Sequence, residues 1–486
     1  MDHNQPVDHN QFVESFRVFL DEVVERSRQA ASEGSPTLHD VLAEHLGADP
    51  GGMPVTGDQF DNHQLVNVDV AVTAMIEQHG GGRVVGVGGG DMRHHVSFGD
   101  LIQHSSRWRH HPVAAVERAN LATGPDSSRQ AVAFGVHLFR YDGRPVAVLQ
   151  RRGAPMYGRE KASLEVLADP SVAAALLADV RRLMVERSVF RGQVLSFGGN
   201  EYEPGAGYIT FHRRPTLEAG DLVLPPGTLG RVERHVAGVA RHRERLRDAG
   251  QHLKRGVLLY GPPGTGKTLT VRYLLSALPD VTTVLLSGVA LRFMTAAAEL
   301  ARALQPAMVV LEDCDLVAED RDFGDGGPRP LLFEVLEALD GLSDDADVAF
   351  LLTTNRVDLL ERALSQRPGR VDLAVEIPLP DAPARLALLR LYARGLPLEE
   401  DALAAAATRA DGTTASFAKE LLRRAVLLGA EEGRPVEAGD LHRALDELLA
   451  DGQQLTRSLL GTPAREKGPR AFGRFSPAPG PGLYPG

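Results

Sequence analysis

The sequence predicts an α/β fold, a parallel αβα sandwich with a C-terminal helical lid, preceded by an α+β N-terminal domain. Three observations carry that expectation. From Gly256 onward, short apolar runs at 257–260, 281–286, 308–311, 348–354 and 371–377 alternate with helical patterns at 269–277, 296–304 and 331–339. Such alternation builds a parallel sheet with helices on both faces and places a ligand at the carboxyl ends of the strands. Residues 381 to about 450 then carry helical periodicity alone, which makes the lid. Finally, Gly261-Pro-Pro-Gly-Thr-Gly-Lys-Thr268 follows the first apolar run directly and opens the first helix. Strand, glycine loop and helix in that order are what a phosphate-binding loop requires.

Bulk properties bound the rest. A chain of 486 residues exceeds one ordinary core, and 43% apolar with 24% charged residues is a globular balance, so two or three domains are expected. The boundaries fall at 1–225 for the α+β N-terminal domain, 226–378 for the nucleotide-binding α/β domain, 379–451 for the lid and 452–486 for a disordered tail rich in Pro and Gly. A net charge of −11 gives no general attraction to a polyanion, so nucleic acid is not the expected partner. The single cysteine, Cys314, excludes an intrachain disulfide and suits a reducing, cytoplasmic setting. The polar start MDHNQPVDHNQ and the lack of any apolar run of about 18 residues predict neither a secretion signal nor a membrane span.

In chain order, residues 12–29 place Phe12, Val13, Phe16, Phe19, Leu20, Val23 and Val24 at helical spacing, and 38–46 repeats the pattern more briefly. The glycine clusters at 80–82 and 88–90 read as loops, since no lysine follows them. His94, His95, His104, His110 and His111 lie close in sequence but lack Cys partners or an i, i+4 pair on a clear helix, and they read as loop and surface residues. Alternating runs at 131–139 and 145–149 flank Asp142-Gly143, the signature of a hairpin. A helix at 170–189 and a strand at 193–197 complete the N-terminal domain. Leu224 onward is a Pro/Gly boundary followed by an arginine-rich amphipathic helix, read as a solvated face or a subunit contact.

The chemistry collects around the glycine loop. Gly261, Gly264 and Gly266 let successive N–H groups turn inward at a triphosphate, with Pro262, Pro263 and Thr265 completing the loop and the helix N-terminus adding its dipole. Lys267 then reaches the β/γ-phosphates and the Thr268 hydroxyl ligates Mg²⁺. Hydrolysis also needs an acid beside the metal and a group that activates water, and Glu312-Asp313 ends an apolar strand at the expected distance downstream. Asn355 ends another buried run and is placed to orient the attacking water.

Taken together, GPPGTGKT, LEDCD, Leu339-Asp-Gly341, TTNR and Arg367-Pro-Gly-Arg-Val-Asp372 resemble the AAA family of ATPases over residues 226–450. The resemblance implies ATP with Mg²⁺ as cofactors and a ring of identical subunits, usually a hexamer. It also makes Arg367 and Arg370 arginine fingers that reach a neighbour's nucleotide, consistent with a guanidinium stabilising transition-state charge in trans. The protein acted on, a substrate or adaptor, would meet residues 1–225. Two departures stand out. The family usually ends its acidic strand with Asp then Glu, whereas this chain has Glu312 then Asp313, so the metal role falls to Glu312 and the water-activating role to Asp313. This order, with Lys254-Arg-Gly256 before the loop, also occurs in the branch that includes the mitochondrial inner-membrane chaperone of respiratory-complex assembly. In place of the aromatic, apolar, glycine pore loop of polypeptide-threading members stands Phe293-Met294-Thr295, where Phe293 either grips substrate or belongs to the core. A nucleic-acid motor and an ATP-gated scaffold with negligible turnover are the competing readings.

Overall fold

The computed structural model describes residues 18–19, 36–198, 208–314, 346–356 and 371–450. The chain divides into two units. One comprises Met1–Glu218, Gly230–Leu259 and Val271–Val375, the other Ala219–Leu229, Tyr260–Thr270 and Glu376–Gly486.

The first unit holds two sheets. In the first, β1 (Val55–Phe60), β2 (Gly82–Val87), β3 (Val113–Ala114), β4 (Glu117–Ala122), β5 (Ser128–Tyr141), β6 (Arg144–Arg151) and β7 (Ala162–Leu167) run in the order β1-β7-β6-β5-β2-β3, with β4 paired on β5. Its pairs are antiparallel. The expected hairpin joins β5 to β6, with Asp142 at φ 48° and Gly143 at φ 78°, the positive pair that a two-residue turn needs to match strand twist. Helices cover both faces. Val146 and Val148 of β6 point into a core shared with α2 (Leu65–Gln78) and α4 (Pro170–Glu186). Ala147 and Leu149, one residue out of phase, point into the core under α1 (Leu38–Leu46) and α3 (Phe98–Trp108).

The second sheet has the order β14-β10-β13-β12-β11-β8-β9, with β8 at Val194–Gly198, β9 at Tyr208–His212, β10 at Arg255–Tyr260, β11 at Thr282–Ser287, β12 at Ala307–Glu312, β13 at Val348–Thr354 and β14 at Leu373–Glu376. Pairs β8/β11, β11/β12 and β12/β13 are parallel. Residues Met308 to Leu311 of β12 are fully buried, as a central parallel strand covered on both faces must be. This is the P-loop αβα fold, with α5 (Lys267–Ala277) and α6 (Met294–Ala303) between strands. The strand expected at 193–197, grouped by composition with the N-terminal domain, is β8 of this sheet, so the sheet draws strands from both sides of residue 225.

The second unit is helical over α7 (Ala382–Tyr392), α8 (Glu400–Arg409), α9 (Ala415–Glu431) and α10 (Ala438–Leu449). Leu389, Ala406, Phe417, Leu421, Leu441 and Leu445 form its core. Asp381 caps α7 by accepting from the Ala384 N–H at 2.9 Å, and Thr414 caps α9. Among the described residues no helix is long and apolar enough to cross a membrane. The helix expected at 331–339, Leu339-Asp-Gly341, the fingers Arg367 and Arg370, and the tail at 452–486 lie outside the described residues. Of the helix expected at 12–29, Val18 and Phe19 alone are described, helical and exposed.

Candidate functional site

The glycine loop is built by close packing of backbone. β10 ends at Tyr260, whose carbonyl accepts from the Ile377 N–H at 2.8 Å. Gly261 follows at φ 142°, and a Cβ there would lie 2.2 Å from the Ile377 carbonyl oxygen. Gly264 has φ 74°, its carbonyl accepts from the Ser416 N–H at 3.1 Å, and a Cβ would meet Ser416 Oγ at 2.9 Å and Thr414 Oγ1 at 3.2 Å. Gly266 takes φ 115°. These conformations belong to glycine, and they free the intervening N–H groups to turn toward one concavity. Pro262, half-buried, and Pro263, exposed, stiffen the entry. The Thr265 hydroxyl donates to the Pro262 carbonyl at 2.9 Å.

Lys267 opens α5 and is 5% exposed. Its ammonium donates to the carbonyls of Gly261 and Pro262, each at 2.8 Å, so the charge is stored on the loop's own dipoles. Thr268, beside it in the first turn, is exposed. A loop with no room for a Cβ at Gly261 or Gly264, a held cation and an open hydroxyl at a helix N-terminus are the set that fits a triphosphate with its magnesium.

The acids sit at the end of a buried strand. Glu312 is the last residue of β12 and is half-buried. Asp313 leaves the strand at φ 51°, a left-handed conformation that aspartate tolerates better than most residues. Its N–H donates to Thr353 Oγ1 at 3.0 Å, and the Cys314 N–H donates to the Thr353 carbonyl at 3.0 Å. Asn355 Nδ2 lies 3.5 Å from Asp313 Oδ1. Parallel register, with Leu311 opposite Leu352, brings these side chains together from positions 42 residues apart. Phe293 is half-buried at the end of a short helical turn and stacks on Phe197 of β8, centroids 5.5 Å apart, with the Arg292 guanidinium 4.9 Å from its ring centroid. Met294 is fully buried.

Three supporting contacts carry no signal in the local sequence. Arg255, 4% exposed, pairs with Asp347, 2% exposed, at 2.8 Å and donates to the carbonyls of Val236 and Leu253. Burial pulls the Arg255 guanidinium below its ordinary value, and the Asp347 carboxylate opposes that shift. Asp372, just beyond Arg370, accepts from the Gly256 N–H at 3.0 Å and lies 3.7 Å from His235. Burial pushes the Asp372 carboxyl up, but the hydrogen bonds from His235 and Gly256 outweigh it and hold it below the usual range. Tyr273 of α5 donates to Glu233, which together with burial pushes its hydroxyl up to about 12.

Comparison with known proteins finds a family and several relatives for this region. Residues 257–379 match the family described as "ATPase family associated with various cellular activities (AAA)". The chain is 33% identical over 228 residues to the ATP-dependent zinc metalloprotease FtsH 3 of Symbiobacterium thermophilum, covering 44% of this chain and 36% of that protein. It is 35% identical over 219 residues to FtsH of Thermus thermophilus, covering 42% and 35%. It is also 31% identical over 260 residues to the proteasome-activating nucleotidase of Pyrococcus horikoshii, covering 51% and 65%. The chain thus spans between about a third and two thirds of the length of these relatives, and the residues before 257 are extra to the matched domain.

Proposed function

From a chain that carries an AAA ATPase domain at residues 257–379, we propose an enzyme that binds Mg-ATP, hydrolyses it and uses the energy to remodel a protein substrate as a ring of identical subunits, a hexamer. The observation that carries this reading is the loop 261–268, with three glycines in conformations that other residues rarely adopt and Lys267 held on the loop's own carbonyls. Gly261, Pro262, Pro263, Gly264, Thr265 and Gly266 cradle the phosphates through backbone N–H groups. Lys267 exchanges its two carbonyls for β/γ-phosphate oxygens, and Thr268 with Glu312 holds the metal. Mg²⁺ held there would supply charge neutralisation at the phosphate oxygens. Asp313 takes the proton of the attacking water and Asn355 orients that water. Arg367 and Arg370 act on the neighbouring subunit's nucleotide.

The residues before β8 serve as the substrate or adaptor domain, the second sheet with its helices, β8 and β9 included, as the nucleotide domain and 379–451 as the lid, in a reducing, cytoplasmic setting suggested by the single cysteine. One observation favours a second reading. The shorter carboxylate at Asp313 stands where the family's longer base is usual, which suits a scaffold that binds ATP and scarcely turns over.

Phosphate release by the purified chain with Mg-ATP, beside Lys267→Ala and Asp313→Asn and with particle mass recorded, separates the two. Turnover in the parent and its loss by about a hundredfold or more in both variants supports the enzyme. Tight ATP binding with release no faster than in Asp313→Asn supports the scaffold.

A further inference from the structure

The first unit contains a cleft of about 930 Å³ that the nucleotide chemistry does not use. Leu121 and Ala122 of β4, Ile209 and Phe211 of β9, and the turn at 152–157 form its walls, and Leu65 of α2 lines its base. The volume is near the upper end of ligand sites, roughly 300–1,000 Å³.

Its surface combines aromatic and apolar side chains with charged ones. Phe190, 1% exposed, lies 5.8 Å from Phe211 between ring centroids and 6.5 Å from His63. His94 stacks flat on Tyr157 at 5.3 Å. Burial holds both histidines below their ordinary values, so the rings are neutral near pH 7. At the lip, Met156 is 82% exposed, and Met92, between the lining residues Asp91 and Arg93, is 67% exposed. Unbranched thioethers held in solvent are costly as bulk surface and suit adaptable contact with varied apolar side chains.

Arg93, Glu117 and Asn62 of the wall are already engaged. Arg93 pairs with Glu117 at 2.7 Å and donates to the Val87 carbonyl at 2.6 Å. Asn62 accepts from the Gly153 N–H and donates to the Glu160 carbonyl. The remaining charged lining residues, Arg152 and Asp91, cancel in sign. A polyanion or a small charged metabolite finds no net field here.

Two strand edges bound the cleft. Among the described residues β9 pairs with β8 alone and β4 with β5 alone, so each has one side of its backbone without a strand neighbour. Alternate N–H and C=O groups along such an edge are templates for another extended chain. Ile209 and Phe211 share a face by strand alternation, and both line the cleft.

We propose that this cleft receives an extended polypeptide segment with uncharged, bulky apolar side chains, its backbone added to a strand edge and its alternate side chains lodged among Phe190, Phe211, Tyr157 and Met156. The inference rests on the reading of the chain as a protein-remodelling ATPase and identifies the class of substrate segment that residues 1–225 would recognise.

The test uses the full chain without nucleotide and a fluorescent ten-residue peptide of alternating Leu and Ser, read by anisotropy. Phosphate release is followed on the same preparations. Met156→Asp, at a position too exposed to endanger folding, is expected to weaken peptide binding about tenfold or more while leaving basal phosphate release unchanged. Two further peptides carry N-methyl groups on alternate backbone nitrogens in opposite phases. One phase is expected to bind about tenfold more weakly than the other, because only one set of N–H groups faces the strand edge. Equal binding by parent and Met156→Asp overturns the cleft, and equal binding by both methylated phases overturns strand addition. Displacement of the peptide by a single-stranded oligonucleotide replaces the proposed occupant with nucleic acid. Turnover without peptide binding sinks this inference alone, whereas Met156-sensitive binding without turnover sinks the ATPase reading and leaves only the cleft's affinity for an extended apolar segment.

Discussion

At the scale of single residues, the loop 261–268 separates two ways in which a glycine is needed. Gly261 requires both its conformation and its space, because a Cβ would sit 2.2 Å from a backbone carbonyl that cannot rotate away. Gly288 has φ 52° but nothing within 4 Å of the added atom, so conformational strain alone opposes substitution. Gly261→Ala is therefore expected to lower stability by about 2 kcal/mol or more and to abolish nucleotide binding, while Gly288→Ala costs about 1 kcal/mol, both read by thermal denaturation and nucleotide titration. His137 gives a pH prediction. It is buried against Gln150, with Nε2 3.1 Å from Gln150 Oε1, and burial pushes its pKa down to about 4. The unfolded chain takes up this proton below its ordinary 6.5 and the folded chain does not, so stability is intact above that value and falls as pH drops toward 4. The slope is about 1.4 kcal/mol per pH unit at most, and His137→Gln is expected to flatten it in urea titrations between about pH 7 and pH 5. The strand, glycine loop and helix around 261–268 were legible because phosphate chemistry demands adjacent residues of fixed type. Asp347 was not, since its partner Arg255 is 92 residues away and nothing near either residue announces the pair.

Among secondary-structure elements, the parallel strands were legible for a physical reason. Strands buried on both faces read as unbroken apolar runs, and β12 and β13 do. Helix α2 was not anticipated, because LVNVDVAVTAMIEQ is rich in β-branched valine and buried over most of its surface, which erases the polar stripe that marks a helix. β1 was missed for the opposite reason: its burial alternates between exposed and half-buried, and only Phe60 reaches the core. The membership of β8 in the second sheet depends on its register against β11, a pairing across about 90 residues that no local pattern encodes. The pair Arg255–Asp347 ties the start of β10 to the residue just before β13. Removing one partner strands a buried charge, so Asp347→Ala is expected to cost about 3–5 kcal/mol, whereas Arg255→Met with Asp347→Leu costs markedly less than the single variant. Chemical denaturation of the single and double variants checks this ordering.

For the whole molecule, the decisive issue is whether one chain completes its own site. Arg367 and Arg370 lie outside the described residues; Asp372, two positions after Arg370, accepts from the Gly256 N–H of β10. If the fingers act across a subunit boundary, Asp313→Asn and Arg370→Ala damage different partners of a shared site. Each variant alone is expected to be inactive while retaining the parent's particle mass. Mixed in equal amounts and allowed to exchange subunits, they regain activity at every position where an Arg370→Ala subunit, with its own intact Asp313, is followed by an Asp313→Asn subunit with its intact arginine. Random placement gives one half times one half, so recovery is about a quarter of the parent rate whatever the number of subunits in the closed ring. Fingers acting within their own chain give no recovery, because every subunit then carries one lesion in its only site. Recovery near a quarter accordingly ties turnover to assembly, whereas none, with subunit exchange shown independently by mass or fluorescence transfer, would leave each chain hydrolysing alone.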